Sequence, residues 1–197
     1  MKNTIILTLF IALTAICSSC SDEDESGFRG PSLHFTVGDL SYATNTNGTS
    51  AQLSGCGEKY VNKIEIPSQV TYAGKSYTVT SIGDSVFRNC RYLAWITIPD
   101  KVTAIGDGSF ASTGIAWITI PSSMTSLGDS VFAGCTNLKE IYVRNTTPPT
   151  VGNGSFYLVD KSKCKLYVPT GSKEAYAAAE GWKEFLNIEE SNKEPIL

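Results

Sequence analysis

Apolar residues return at a fixed set of offsets through most of this chain. Ile96-Thr97-Ile98-Pro99 and Ile118-Thr119-Ile120-Pro121 stand 22 residues apart. The stretch Val102-Thr103-Ala104-Ile105-Gly106-Asp107-Gly108-Ser109-Phe110 stays in register with Met124-Thr125-Ser126-Leu127-Gly128-Asp129-Ser130-Val131-Phe132. Ile141-Tyr142-Val143 follows after 23 residues, and Leu166-Tyr167-Val168-Pro169 after 25 more. Upstream, Ile64-Glu65-Ile66-Pro67 opens the pattern and Val79-Thr80-Ser81-Ile82-Gly83-Asp84-Ser85-Val86-Phe87 completes it. That first spacing is 32 because about ten residues around Thr71-Tyr72-Ala73-Gly74-Lys75-Ser76 are inserted. Tyr72 and Tyr77 flanking a small-residue turn predict a hairpin there.

A period of 20 to 29 residues predicts a solenoid of stacked coils, since one coil cannot bury its own apolar side. In each coil a short strand places Leu93, Ile96 and Ile98, then Ile115, Ile118 and Ile120, then Leu138, Ile141 and Val143 at matching offsets. Stacked strands pair in parallel about 4.8 Å apart, which predicts one continuous sheet. From the opposite wall, Ile82, Ile105, Leu127 and Val151 are expected to fill the interior, with an aromatic ladder of Phe87, Phe110, Phe132 and Phe156. Proline after the strand stops pairing, and glycine before Asp suits a tight corner.

These residues resemble the BspA-type leucine-rich repeat over residues 61–168. The resemblance implies a β-rich, right-handed leucine-rich-repeat solenoid with short parallel strands. Ile141-Tyr142-Val143-Arg144 lacks the proline of the other copies, and Thr146-Thr147-Pro148-Pro149-Thr150-Val151 replaces their Val-Thr turn. Repeats are expected over 61–169, with the hairpin insertion at about 70–79.

End coils expose a core face and need caps. Over 31–60, Leu33 to Tyr42 and Ser50 to Leu53 alternate apolar and polar residues, which predicts an antiparallel β cap around a turn at residues 44–48. Over 170–197, residues 171–181 predict a short helix with Ser172 as N-cap, Glu174 in the first turn and Gly181 closing the end. Trp182 and Phe185 would then cover the last coil.

The first residues read as an address. A basic start and an apolar run from Ile5 to Ile16 are too short to span a bilayer, and Cys17-Ser18-Ser19-Cys20 follows. This resembles a bacterial lipoprotein signal, with 1–19 removed and Cys20 lipidated, although Cys17 stands where that signal usually has Leu. Residues 20–30 form a tether carrying Asp22-Glu23-Asp24-Glu25, too charged to bury. The acidic run looks like the export signal of Bacteroidetes lipoproteins, which implies a cell-surface-exposed lipoprotein of the outer membrane. Membrane contact is expected through the N-terminal lipid alone.

Composition narrows the chemistry. The 197 residues include 16 Lys and Arg against 19 Asp and Glu, a formal charge of −3, which argues against nucleic acid as a partner. One histidine, His34, sits in a strand pattern with no nucleophile motif beside it. Cys56, Cys90, Cys135 and Cys164 lack zinc-ligand spacing. Cys90 and Cys135 share an offset two coils apart, about 10 Å, which is beyond disulfide reach and fits buried thiols. A Cys56–Cys164 bridge would have to span the solenoid. Asp84, Asp107 and Asp129, continued by Asn153, form a row that could take Ca²⁺ or could cap local turns, and local capping is the expectation. No enzyme activity, cofactor or metal is expected.

Outward positions on the strands offer the candidate binding face: Lys63 and Glu65, then Trp95, Thr97, Trp117, Thr119, Glu140, Tyr142, Lys165 and Tyr167. Two tryptophans and two tyrosines at matching offsets should stack along the coils. Such a strip either binds a partner or only ties neighbouring strands together. Family members include adhesins, so the resemblance implies adhesion to a host matrix protein or glycan. A structural envelope component without a dedicated ligand is the alternative.

Overall fold

The computed structural model describes residues 32–45, 48–57 and 62–192. The signal segment, Cys20 and the acidic tether lie outside the described residues. In chain order the elements are β1 His34–Val37, β2 Leu40–Thr44, β3 Ser50–Cys56, β4 Lys63–Glu65, β5 Gln69–Tyr72, β6 Lys75–Ile82, β7 Trp95–Thr97 and β8 Ala104–Ile105. β9 Trp117–Ile120, β10 Ser126–Leu127, β11 Glu140–Val143, β12 Thr150–Val151, β13 Lys165–Val168, α1 Lys173–Ala178 and β14 Asn187–Glu190 complete them.

The coils stack into a solenoid with three walls. The first wall carries the longer strands in parallel register: Ile64 faces Ile96, Ile118 faces Ile141, and Ile141 faces Leu166. The second wall has the order β1-β2-β3-β6-β8-β10-β12, with β5 on β6, and Ile82, Ile105, Leu127 and Val151 stand in line along it.

A third wall joins the two without regular strands. Nine backbone bonds of 2.8–3.0 Å run from one coil to the next. Ser85, Phe87 and Asn89 donate to the carbonyls of Asp107, Ser109 and Ala111. Gly108, Phe110 and Ser112 donate to Asp129, Val131 and Ala133. Ser130, Phe132 and Gly134 donate to Asn153, Ser155 and Tyr157. The first and last donor of each trio have positive φ, between 55° and 75°, whatever the side chain. The interior is filled by Phe87, Phe110, Phe132 and Phe156, stacked at centroid distances of 5.2, 5.5 and 5.6 Å. These rings and the aligned Ile and Leu rows are buried, each contributing roughly 1.5–3 kcal/mol of transfer free energy.

Four expectations about the walls, caps and glycines need correction. The first wall is not one continuous sheet: β4 and β7 pair separately from β9-β11-β13-β14. Ala116 N–H donates to Ala94 O across the seam at 3.2 Å, and Gly114 N–H to Cys90 O at 3.4 Å in the corner before it. The seam falls at the shortest spacing, where one residue is missing from the corner between Phe110 and Trp117. That corner is pinched against the coil before it, since a Cβ on Gly114 would meet Arg91 O at 2.2 Å.

The N-terminal stretch 33–42 is two strands folded at Gly38 (φ +60°) rather than one. The strands of this cap pair antiparallel, as expected, and β3 then pairs in parallel with β6, so the cap continues the second wall.

The C-terminal cap holds a six-residue helix and a further strand. β14 adds to β13 with Leu166 facing Ile188. Ser172 makes no side-chain capping bond; Glu190 Oε1 instead accepts from Gly171 N (2.9 Å) and Lys173 N (3.1 Å). Trp182 and Phe185 do cover the last coil, packing on Phe156 at 5.3 and 4.9 Å.

The glycines before Asp are not corner residues of positive φ. Gly106 and Gly128, like Gly152 before Asn153, permit close approach, because a Cβ on any of the three would lie 2.2–2.4 Å from the preceding coil's Asp Oδ1.

Candidate binding face

Strand alternation turns every second residue of the first wall outward, and parallel register stacks those residues in two columns. Lys63 stands beside Trp95 and Glu65 beside Thr97. Beyond the seam, Trp117, Glu140, Lys165 and Asn187 continue one column, and Thr119, Tyr142, Tyr167 and Glu189 the other. Thr97 and Lys165 are exposed; Trp95, Trp117, Thr119, Glu140, Tyr142 and Tyr167 are half-buried. The structure thus brings all eight candidate positions onto one face.

Stacking uses the faces of the rings. Trp95 and Trp117 stack at 5.9 Å with planes 16° apart, and Lys63 Nζ sits 4.2 Å from the Trp95 ring centroid. Tyr142 and Tyr167 stack at 4.7 Å, with Lys165 Nζ 5.9 Å from the Tyr167 centroid. Because each coil lies over the last, each of these rings turns one face to its stacked neighbour.

Charge on the face is mixed and locally paired. Lys63 and Glu65 approach to 2.6 Å, and Lys165 and Glu189 to 3.1 Å. The Tyr142 hydroxyl donates to Glu140 Oε2 at 2.6 Å. Burial, reinforced by that carboxylate, pushes the Tyr142 hydroxyl well above the usual phenol range, so it stays a donor. The Lys165 ammonium is raised by its bond to Glu189.

Beside the columns lies a groove of about 700 Å³, with Thr97, Trp117, Thr119, Asp100, Lys101 and Arg144 among its lining residues. It opens at the seam. Sequence reasoning passed over Asp100, Lys101 and Arg144, which lie just outside the strands. The one signal for the groove was the spacing of 22 instead of 23.

Other chemistry is absorbed by the fold. His34 is exposed, with Ser32 Oγ 3.4 Å from its Nε2. The acidic row acts between coils rather than locally: Asp84 Oδ1 accepts from Asp107 N (2.8 Å), Asp107 Oδ1 from Asp129 N (2.8 Å) and Asp129 Oδ1 from Asn153 N (2.6 Å). Among the described residues no group of three or more His, Cys, Asp or Glu could hold a metal ion. Cys56, Cys90, Cys135 and Cys164 are thiols, the last three buried. Burial raises the Cys135 thiol and lifts Cys164 to about 12, so neither is a ready nucleophile. No helix among the described residues is long and apolar enough to cross a membrane.

The profile of the BspA type leucine rich repeat region matches residues 58–173 in six copies. Among solved structures, a leucine-rich repeat protein from Bacteroides capillosus is 26% identical with a TM-score of 0.54, covering 68% of this chain and 97% of that one. Another from Bacteroides ovatus is 27% identical with a TM-score of 0.57. It covers 73% of this chain, which spans 39% of that longer protein. The T. pallidum leucine rich repeat protein shares the fold at 17% identity, with a TM-score of 0.53 over 79% of this chain and 81% of its own. No curated protein matches the chain.

Proposed function

We propose, from the premise that this chain belongs to the BspA-type leucine-rich repeat family, that it is a lipid-anchored surface protein gripping a protein partner with its first wall. The supporting observation is the pair of aromatic columns beside an open groove. A sugar ring stacks on the face of an aromatic ring, and here one face of each ring is taken by its stacked neighbour. What remains is a row of partly covered rings, hydroxyls and paired charges, which matches the polar and aromatic mixture of a protein surface. A host matrix protein is the partner class this reading favours over a glycan. Binding needs no chemical step: a rigid face meets its partner with little ordering cost.

The test is adsorption of the chain to immobilised extracellular-matrix proteins and, separately, to polysaccharides. Trp117→Ala is expected to weaken matrix-protein binding by at least tenfold while circular dichroism stays native. Equal binding by wild type and variant would leave the structural envelope role instead. Lipid anchoring is checked by metabolic labelling with a fatty-acid analogue, which Cys20→Ala should abolish.

A further inference from the structure

Among the described residues, the third wall ends at the fourth coil with its outer N–H groups unpaired. In three successive coils, backbone N–H groups two residues before, at and two residues after the central Phe donate to carbonyls of the next coil. The fourth coil presents the same trio, Gly154, Phe156 and Leu158, with no acceptor among the described residues. The conformation is preserved as well. Gly154 has φ +65° and Leu158 φ +63°, the second a bulky residue in a backbone region that side chains of its kind rarely occupy.

The C-terminal cap does not supply the missing acceptors, because it cuts across the coil. Gly181 lies against Val151 on the second wall, Trp182 and Phe185 cover Phe156, and Leu186 N donates to Lys161 O at 3.2 Å before β14 joins the first wall. The described part of the cap skips the third wall at that level. A cavity of about 210 Å³ remains between Gly154 and Phe156 on one side and Gly181 and Glu184 on the other. Tyr157 lines it too, and Leu158 lines a second cavity that shares Tyr157; the two are 64% and 61% exposed, among the most exposed large apolar side chains of the described residues.

We propose that Gly154, Phe156 and Leu158 form a docking edge for an extended segment of a partner protein. The segment would run parallel to the fourth coil and present carbonyls at alternate residues, as each succeeding coil does internally. The mode is strand addition, with backbone bonds giving affinity and Tyr157 and Leu158 giving an apolar contact. A second copy stacked end to end is disfavoured, since β14 already fills the first wall at that level. The site is separate from the aromatic columns and does not rest on them.

The probe is a nine-residue peptide copying residues 105–113, whose Asp107, Ser109 and Ala111 carbonyls are natural acceptors of such a trio. In the ¹⁵N-labelled full chain, saturating peptide should slow amide exchange at Gly154, Phe156 and Leu158 by about tenfold or more. Leu158→Asn keeps the N–H and tolerates positive φ while removing the apolar contact. It should weaken the peptide by about tenfold, or 1.4 kcal/mol, and Trp117→Ala should leave peptide binding unchanged. The proposal is overturned by any of four results. These are protection of the three amides before peptide is added, none at millimolar peptide, protection mapping to the first wall instead, or self-association that protects the same amides.

Discussion

Trp95 and Trp117 stack at 5.9 Å across strands that are not ladder partners, whereas Tyr142 and Tyr167 stack at 4.7 Å across strands that are. Two indoles bridge the seam where the strand ladder is interrupted. The half-buried tryptophan pair is therefore structural as well as outward-facing, and a binding assay on its variants has to be read beside their stability.

A double-mutant cycle of Trp95→Ala and Trp117→Ala, followed by urea unfolding, should give a coupling energy of roughly 0.5–1.5 kcal/mol. Additive effects would mean that the rings lie near one another without mutual attraction.

The acidic row ties coil to coil, so its side chains matter as acceptors. Asp107→Ala strands the N–H of Asp129 and should cost about 1 kcal/mol, with Asp107→Asn costing less than half of that because the amide oxygen still accepts. Equal losses in chemical denaturation would show that charge, not the bond, is what counts.

Close approach at the glycine preceding each Asp makes a sharper demand. Gly128→Ala would drive a methyl to 2.3 Å from Asp107 Oδ1 and 2.9 Å from Asp107 N, and should lower stability by about 2–4 kcal/mol. Gly55→Ala, whose Cβ would meet Ser41 at an ordinary 3.5 Å, is the control and should shift the thermal midpoint little.

Alkaline pH should unfold the protein through its buried acids. Burial raises Cys164 from 9.0 to about 12 and Tyr42 from 10.0 to about 12. The unfolded chain then loses those protons first, and stability falls as pH rises from about 9 towards 12. Below pH 9 both states hold the protons and no such loss occurs. Cys164→Ala should reduce the slope of stability against pH in this window by about one proton. In the native protein at pH 8, Cys135 and Cys164 should resist thiol reagents that modify them rapidly after unfolding.

How far the molecule could be read from its residues follows from the nature of a repeat. Isoleucines at a fixed offset must share a wall, because stacking is the one way such coils bury an apolar side. The phenylalanine ladder, the four outward aromatics and the parallel rows of Ile82, Ile105 and Leu127 all follow from that. The glycine preceding each Asp was legible as a requirement but not as a reason: a turn and a close approach both call for glycine, and only distance separates them.

Period alone carried the stacking order, the composition of the core and the identity of the exposed columns, since each depends on which residue lies over which. The seam at β7 and β9, the groove with Arg144, the capping by Glu190 and the empty edge at Leu158 depend instead on how far apart neighbouring coils sit and where the cap crosses them. Those distances arise from packing between residues remote in the chain, which local propensity and repeat offset leave open.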